Sequence, residues 1–266
     1  WQLIQQGAQE DINLTQRTQP ILLTCSVAIW RLWNQKQGAK PSQMAGHSLG
    51  EWSALVCANV IDFADGLKMV EARGKFMQQA VPVGQGAMAA IIGLDDKAIL
   101  AACTEASTLG VVDAVNFNAP GQVVIAGAND AVERAMDICK AAGAKRALPF
   151  PVSAPFHTSL MKPAADNLAE MENTITFRAP EVPVMHNVHA KNEHDPQAIK
   201  ALMLEQIYSP VKWVDCVGQL KDSGVSALVE CGPGKVLSGL AKRIDRELIA
   251  ISTESVTDFD AALTTI

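Results

Sequence analysis

Apolar positions along the chain follow two spacings, and the changes from one to the other outline the fold. Pro20 to Trp33 (PILLTCSVAIWRLW) is apolar nearly all round and of helical length, which predicts a buried helix ended by Gly38. Glu51 to Asn59 predicts a second buried helix. Phe63, Leu67, Val70, Gly74, Met77 and Val81 recur at steps of three and four, so a third helix presents one apolar face and stops at Pro82 and Gly84. Arg73 lies beside that face.

From Gly86 to Val152 the spacing shortens. Ala87 to Leu94 reads as a strand, Asp95 to Ser107 as a helix, and Val111 to Asn116 and Val123 to Ala126 as strands joined through Asn118-Ala119-Pro120-Gly121. A helix with Val132, Ala135, Met136 and Cys139 on one face follows, and Ala147 to Val152 closes as a strand. The order β-α-β-β-α-β is the split βαβ arrangement of ferredoxin-like folds, so residues 85–152 are expected to form a small subdomain. Beyond it, Leu160, Ala164, Leu168 and Met171 mark a helix, and Val184 to Val188 a strand. Val225 to Glu230 is a strand whose turn, Cys231 to Gly234, enters a helix carrying Val236, Leu237, Leu240 and Ile244. Strands alternating with helices predict an α/β core with a mostly parallel sheet, built from residues 1–84 and 153–266.

Composition narrows the function classes. At 266 residues, 48% hydrophobic and 19% charged, the chain can bury a large core. A net charge of −6 argues against a nucleic-acid partner, and no apolar run approaches the roughly 18 residues of a membrane span. The six cysteines are scattered without a C-x-x-C pair and read as reduced core residues of a cytoplasmic protein.

Gly46-His47-Ser48-Leu49-Gly50 fits G-x-S-x-G, in which a serine nucleophile sits on a tight strand-to-helix turn between small residues. Ser48 needs a base. His47 abuts it, but neighbouring side chains on a turn point apart. His186, His189 and His194 are spaced as metal ligands can be, yet no Cys, Asp or Glu completes a set, so no metal is expected. His157 follows a proline-pinned loop, Pro151 to Phe156, just before a helix, where α/β folds place catalytic groups; a packed histidine at a helix start is the other reading. Arg73 would either snorkel to water or turn inward to hold a carboxylate.

Together, Gly46 to Glu51, Arg73 to Met77, Asn116 to Asn118 with Val123 to Gly127, the His157 loop, and Gly232 to Leu237 resemble the malonyl-CoA:acyl carrier protein transacylases of bacterial type II fatty acid synthesis. The resemblance runs from about Trp1 to the end, in order and spacing. It implies an α/β-hydrolase-like core with an inserted ferredoxin-like subdomain. It also implies Ser48 as the malonyl-accepting nucleophile, His157 as general base, the Leu49 amide as oxyanion donor and Arg73 as partner of the malonyl carboxylate. Gln206 would lie near His157, Phe156 would discourage α-branched acyl chains, and Met77, Asn116 and His47 would line the substrate site.

The resemblance further implies that malonyl-CoA and acyl carrier protein are the partners, that no cofactor is needed, and that backbone carbonyls rather than an acid orient the imidazole. A second oxyanion donor would come from a G-Q-G-x-Q motif on a first strand. Gln5 to Gln9 imitates that motif without its strand-to-helix context, so the first strand is expected to be missing and the native protein to be longer. Lys235, Lys242, Arg243 and Arg246 are candidates to receive an acidic carrier, or a solvated helix face. A thioesterase, an acyltransferase feeding a polyketide synthase, and a docking module without catalysis are the alternatives.

Overall fold

The computed structural model describes residues 2–152 and 154–266. Short helices α1 (Gln2–Gln6) and α2 (Gln9–Ile12) lead into the long α3 (Thr15–Gln35), followed by β1 (Met44–Ala45), α4 (Leu49–Cys57) and α5 (Phe63–Gln79). The inserted unit is β2 (Gly86–Ile92), α6 (Asp96–Ala106), β3 (Val112–Ala119), β4 (Gln122–Ala128), α7 (Asn129–Ala141) and β5 (Arg146–Pro149). The chain then returns through α8 (Lys162–Glu172), β6 (Val184–His186), β7 (Lys191–Asn192), α9 (Pro196–Glu205) and α10 (Trp213–Asp222). It closes with β8 (Ala227–Glu230), α11 (Val236–Ile244), β9 (Ile249–Ser252) and α12 (Val256–Thr265).

The insertion is an antiparallel sheet of order β3-β4-β2-β5, the ferredoxin-like order. Its strands are apolar on both faces because both are covered. Ala89, Ile91, Val123 and Ile125 face α6 and α7, while Met88, Val124 and Ala126 form a second cluster against Phe156. A bulge between Ala114 and Asn116 turns Val115 to the second face. The Asp95 carboxylate caps α6 by accepting the Ala98 amide at 3.0 Å. Beyond the bulge β3 meets the core: the Phe117 amide donates to Val211 O, and the Val211 amide to Val115 O.

In the core, β1 pairs parallel with β6, β8 pairs parallel with β9, and β7 adds an antiparallel edge on β6. Among the described residues these pairs are separate sheets, and a cavity of about 730 Å³ lined by both β1 and β8 lies between them. Several strands are shorter than expected. Pro149 and Pro151 lack the amides that would extend β5 to Val152. β6 ends at His186 because the Asn187 backbone turns to the Glu51 carboxylate and the Lys212 amide, and the Val225 amide closes α10 onto Leu220 O instead of starting β8.

α4 is buried nearly all round, as its sequence predicts. α3 instead buries one stripe, Gln19, Leu23, Val27 and Trp33. α5 packs on it at Gly74, where a Cβ would lie 2.6 Å from Thr15 O. That approach sets Arg73 against Gln19. All six cysteines are free, and burial raises the thiols of Cys57 and Cys103 to about 12 and Cys231 to about 11, so they remain protonated at neutral pH. Among the described residues no helix is long and apolar enough to cross a membrane.

Candidate active site

Ser48 occupies the turn between β1 and α4 with φ 52° and ψ −103°, a conformation a side-chain-bearing residue rarely adopts. The turn is tight on one side only. A Cβ on Gly46 would fall 1.9 Å from the Gly50 carbonyl carbon, so Gly46 must be glycine. Gly50 has open space around it, so the expectation that the turn needs small residues on both sides is corrected at that position. Asn187 holds the turn from below, accepting the Ser48 amide at 2.7 Å and donating to Gly46 O at 2.8 Å. Leu49 opens α4, so its amide is unpaired by position and lies one peptide from the hydroxyl.

His157, also at positive φ (65°), is 4% exposed and brings Nε2 to 2.8 Å from Ser48 Oγ. Its Nδ1–H donates to Gln206 O at 2.8 Å, which leaves Nε2 as the acceptor of the serine proton. A backbone carbonyl thus orients the imidazole. Burial, with the Arg73 charge beside it, lowers the His157 pKa to about 3 and keeps the ring neutral. Ser153, in the loop before it, lies outside the described residues.

Arg73 is 2% exposed and turned inward. Its NH2 donates to Ser48 Oγ and to Gln206 Oε1, each at 3.0 Å, and its NH1 to Gln19 Oε1 at 2.7 Å. Burial lowers its pKa to about 10, which leaves it charged at neutral pH. Its side-chain partners are neutral, and among the described residues no salt bridge includes it. A desolvated cation held by amides and a hydroxyl is set up to receive an anion.

The acyl transferase domain family matches residues 1–255. A malonyl CoA-acyl carrier protein transacylase of Escherichia coli K12 is 59% identical, over 99% of this chain and 85% of its own. The chain belongs to this transacylase family. An acyl carrier protein S-malonyltransferase crystal structure from Vibrio cholerae superposes with a TM-score of 0.96 at 57% identity, covering 98% of this chain and 85% of that one. A malonyl-transacylase in complex with a type II polyketide synthase acyl-carrier protein gives 0.98 at 54% identity, over 100% and 86%.

Within the transacylase framework, Ser48, His157, Arg73 and Gln206 meet as expected. His47 points away from the hydroxyl: Nε2 is 2.8 Å from Asn118 Oδ1, the ring packs on Trp213, and the residue borders the cavity between β1 and β8. Met77 lies in the main core, its Sδ 4.0 Å from Gln19 Nε2, one contact removed from Arg73. Phe156 is half-buried between the core and the subdomain sheet. Asn116 sits at the bulge with a buried Oδ1 that has no partner among the described residues.

The three spaced histidines do not converge as a ligand set. His186 Nδ1 bonds Glu51 at 2.7 Å, His189 packs edge-on against it, and the His194 amide bonds Glu193. Gln5 to Gln9 forms the end of α1 and the turn into α2, not a strand leading to the site.

Gln19, Glu51 and Asn187 also hydrogen-bond the site residues or their turn, and the sequence assigned none of them a role. Gln19 carried a signal: it occupies the buried stripe of α3, where an amide needs a partner. Glu51 reads from sequence as an ordinary acid in the first turn of a helix.

Proposed function

We propose that this chain transfers a malonyl group from malonyl-CoA to the thiol of an acyl carrier protein through an ester on Ser48. The observation that carries this reading is the buried Arg73 guanidinium, without a carboxylate partner and 3.0 Å from the nucleophile. An acyl group ending in a carboxylate completes it, at about 1.5–3 kcal/mol for each charged hydrogen bond. A general esterase has no use for such a group.

Each step uses groups the chain supplies, with no metal or prosthetic group. Ser48 Oγ attacks the thioester carbonyl while its proton passes to His157 Nε2. Gln206 O stabilises the imidazolium through Nδ1–H, and the Leu49 amide holds the oxyanion. The tetrahedral carbon then expels the CoA sulfur, which takes the proton from Nε2. In the second half the carrier thiol gives its proton to Nε2, attacks the ester, and restores the Ser48 hydroxyl.

A cytoplasmic location suits this reading, because CoA thioesters and carrier proteins meet there. Lys235, Lys242, Arg243 and Arg246 are exposed around α11 and offer a surface to an acidic carrier. Lys235 already pairs with Glu254, and Arg243 with Gln122. The similar malonyl-transacylase in complex with a type II polyketide synthase acyl-carrier protein supports a carrier protein as the acceptor. Labelled malonyl-CoA and holo carrier protein test the proposal. Label on the carrier thiol is expected; release as free malonate would mark a thioesterase, and no turnover a non-catalytic docking module.

A further inference from the structure

One carboxylate lies beneath the site. Glu51 is 0% exposed and accepts from His186 Nδ1 (2.7 Å), Gln206 Nε2 (2.6 Å) and the Asn187 amide (3.2 Å). Two of those donors belong to residues that hold the reacting groups. Asn187 clamps the Ser48 turn on both sides. Gln206 orients His157 with its backbone carbonyl and Arg73 with its side-chain oxygen, while its Nε2 is fixed by Glu51 and by Ser48 O at 3.0 Å.

The arrangement resolves a conflict in the use of Arg73. A buried guanidinium needs negative charge nearby to stay protonated and ordered. A carboxylate bonded directly to it would occupy the fork meant for the substrate. Here the charge acts at one remove: Glu51 polarises the Gln206 amide through Nε2–H, and the opposite end of that amide accepts from Arg73 NH2. The guanidinium keeps a counter-charge with no carboxylate of the chain bonded to it, and its polar contacts are the Gln19 and Gln206 amides and the Ser48 hydroxyl, the last of which an incoming acyl group displaces.

We propose that Glu51 is a positioning residue which, through the Gln206 amide, sets the orientation of Arg73 and thereby selects acyl groups ending in a carboxylate. The inference rests on the malonyl-transfer reading above and adds the residue that tunes it. Glu51→Gln keeps the shape and removes the charge. It should raise the KM for malonyl-CoA roughly tenfold to a hundredfold, the equivalent of one charged hydrogen bond, and change the KM for acetyl-CoA far less. Glu51→Asp, with the charge retained, should recover part of the malonyl preference.

An equal loss for both acyl donors, or a fall confined to kcat, would reduce Glu51 to a structural role and overturn the proposal. Should Glu51→Gln fail to fold, Gln206→Met cuts the same relay while leaving the Glu51–His186 and Glu51–Asn187 bonds in place. The same malonyl-specific KM change is then expected, and its absence counts against the relay. The unaltered chain is assayed in parallel: if it moves no malonyl, the parent reading falls and this one with it, whereas a proficient parent with an unselective loss in the variants condemns Glu51 alone.

Discussion

The ferredoxin-like insertion and the core that carries the nucleophile are held together by different forces. In the insertion, β2 and β4 pair over seven consecutive positions, and apolar side chains fill both faces of the sheet. Its stability comes from area removed from water and a regular backbone ladder. The core around Ser48 has strands of two to four residues, and its centre is polar: Gln19, Glu51, Arg73, His157, Asn187 and Gln206 are each buried and hydrogen-bonded to one another or to the nucleophile turn. One region can lose a methyl group and keep its chemistry; the other can lose a single hydrogen bond and keep its fold.

That contrast can be broken by substitution. The largest effect is expected from Ser48→Ala, a fall in transfer on the order of 10⁴-fold or more with no malonyl adduct in intact-mass measurement. Its melting temperature should change little, since Ala keeps the same backbone turn and only a half-buried hydroxyl is lost. Arg73→Ala should lower kcat/KM for malonyl-CoA by about 10²-fold or more while sparing acetyl transfer, because two charged hydrogen bonds to the substrate are lost; equal losses would refute the carboxylate role.

Ile125→Ala, at a site 0% exposed in the insertion, should cost roughly 2–5 kcal/mol by denaturant unfolding yet leave kcat per folded molecule unchanged. A matching fall in kcat would show the two regions to be coupled. The pH dependence sharpens the comparison further. With the His157 pKa lowered to about 3, the imidazole is a free base through the neutral range, so kcat/KM should fall only as pH drops toward that value. An acid limb near 6.5, the ordinary histidine value, would contradict this. Arg73→Ala should move the limb upward, because its charge is one cause of the lowering. Smallest is Asp95→Ala, which removes the α6 cap for about 1 kcal/mol in thermal unfolding and leaves activity untouched.

The same contrast governs what the sequence reveals. The insertion was legible because its order comes from periodicity: every strand and helix expected between Gly86 and Val152 is present, with shifted ends, the largest being β3, which runs to Ala119 where a turn was expected, and β5, which stops at Pro149. Ser48, His157 and Arg73 were legible because each is a reactive group in an apolar or glycine-bounded setting. Gln206 entered only through the family resemblance. Glu51 and Asn187 were not legible, since a buried amide or acid gains its role from partners distant in sequence; Asn187 bonds an amide 139 residues away, and Gln19 offered only its place on the buried stripe of α3. β1, at two residues, is too short to show any period.

The most direct test is the structure of the chain after reaction with malonyl-CoA. The account predicts an ester on Ser48 Oγ whose terminal carboxylate meets the Arg73 guanidinium in paired bonds of about 2.7–2.9 Å. An acyl group with its carboxylate turned to solvent, or carried on any other residue, would contradict it.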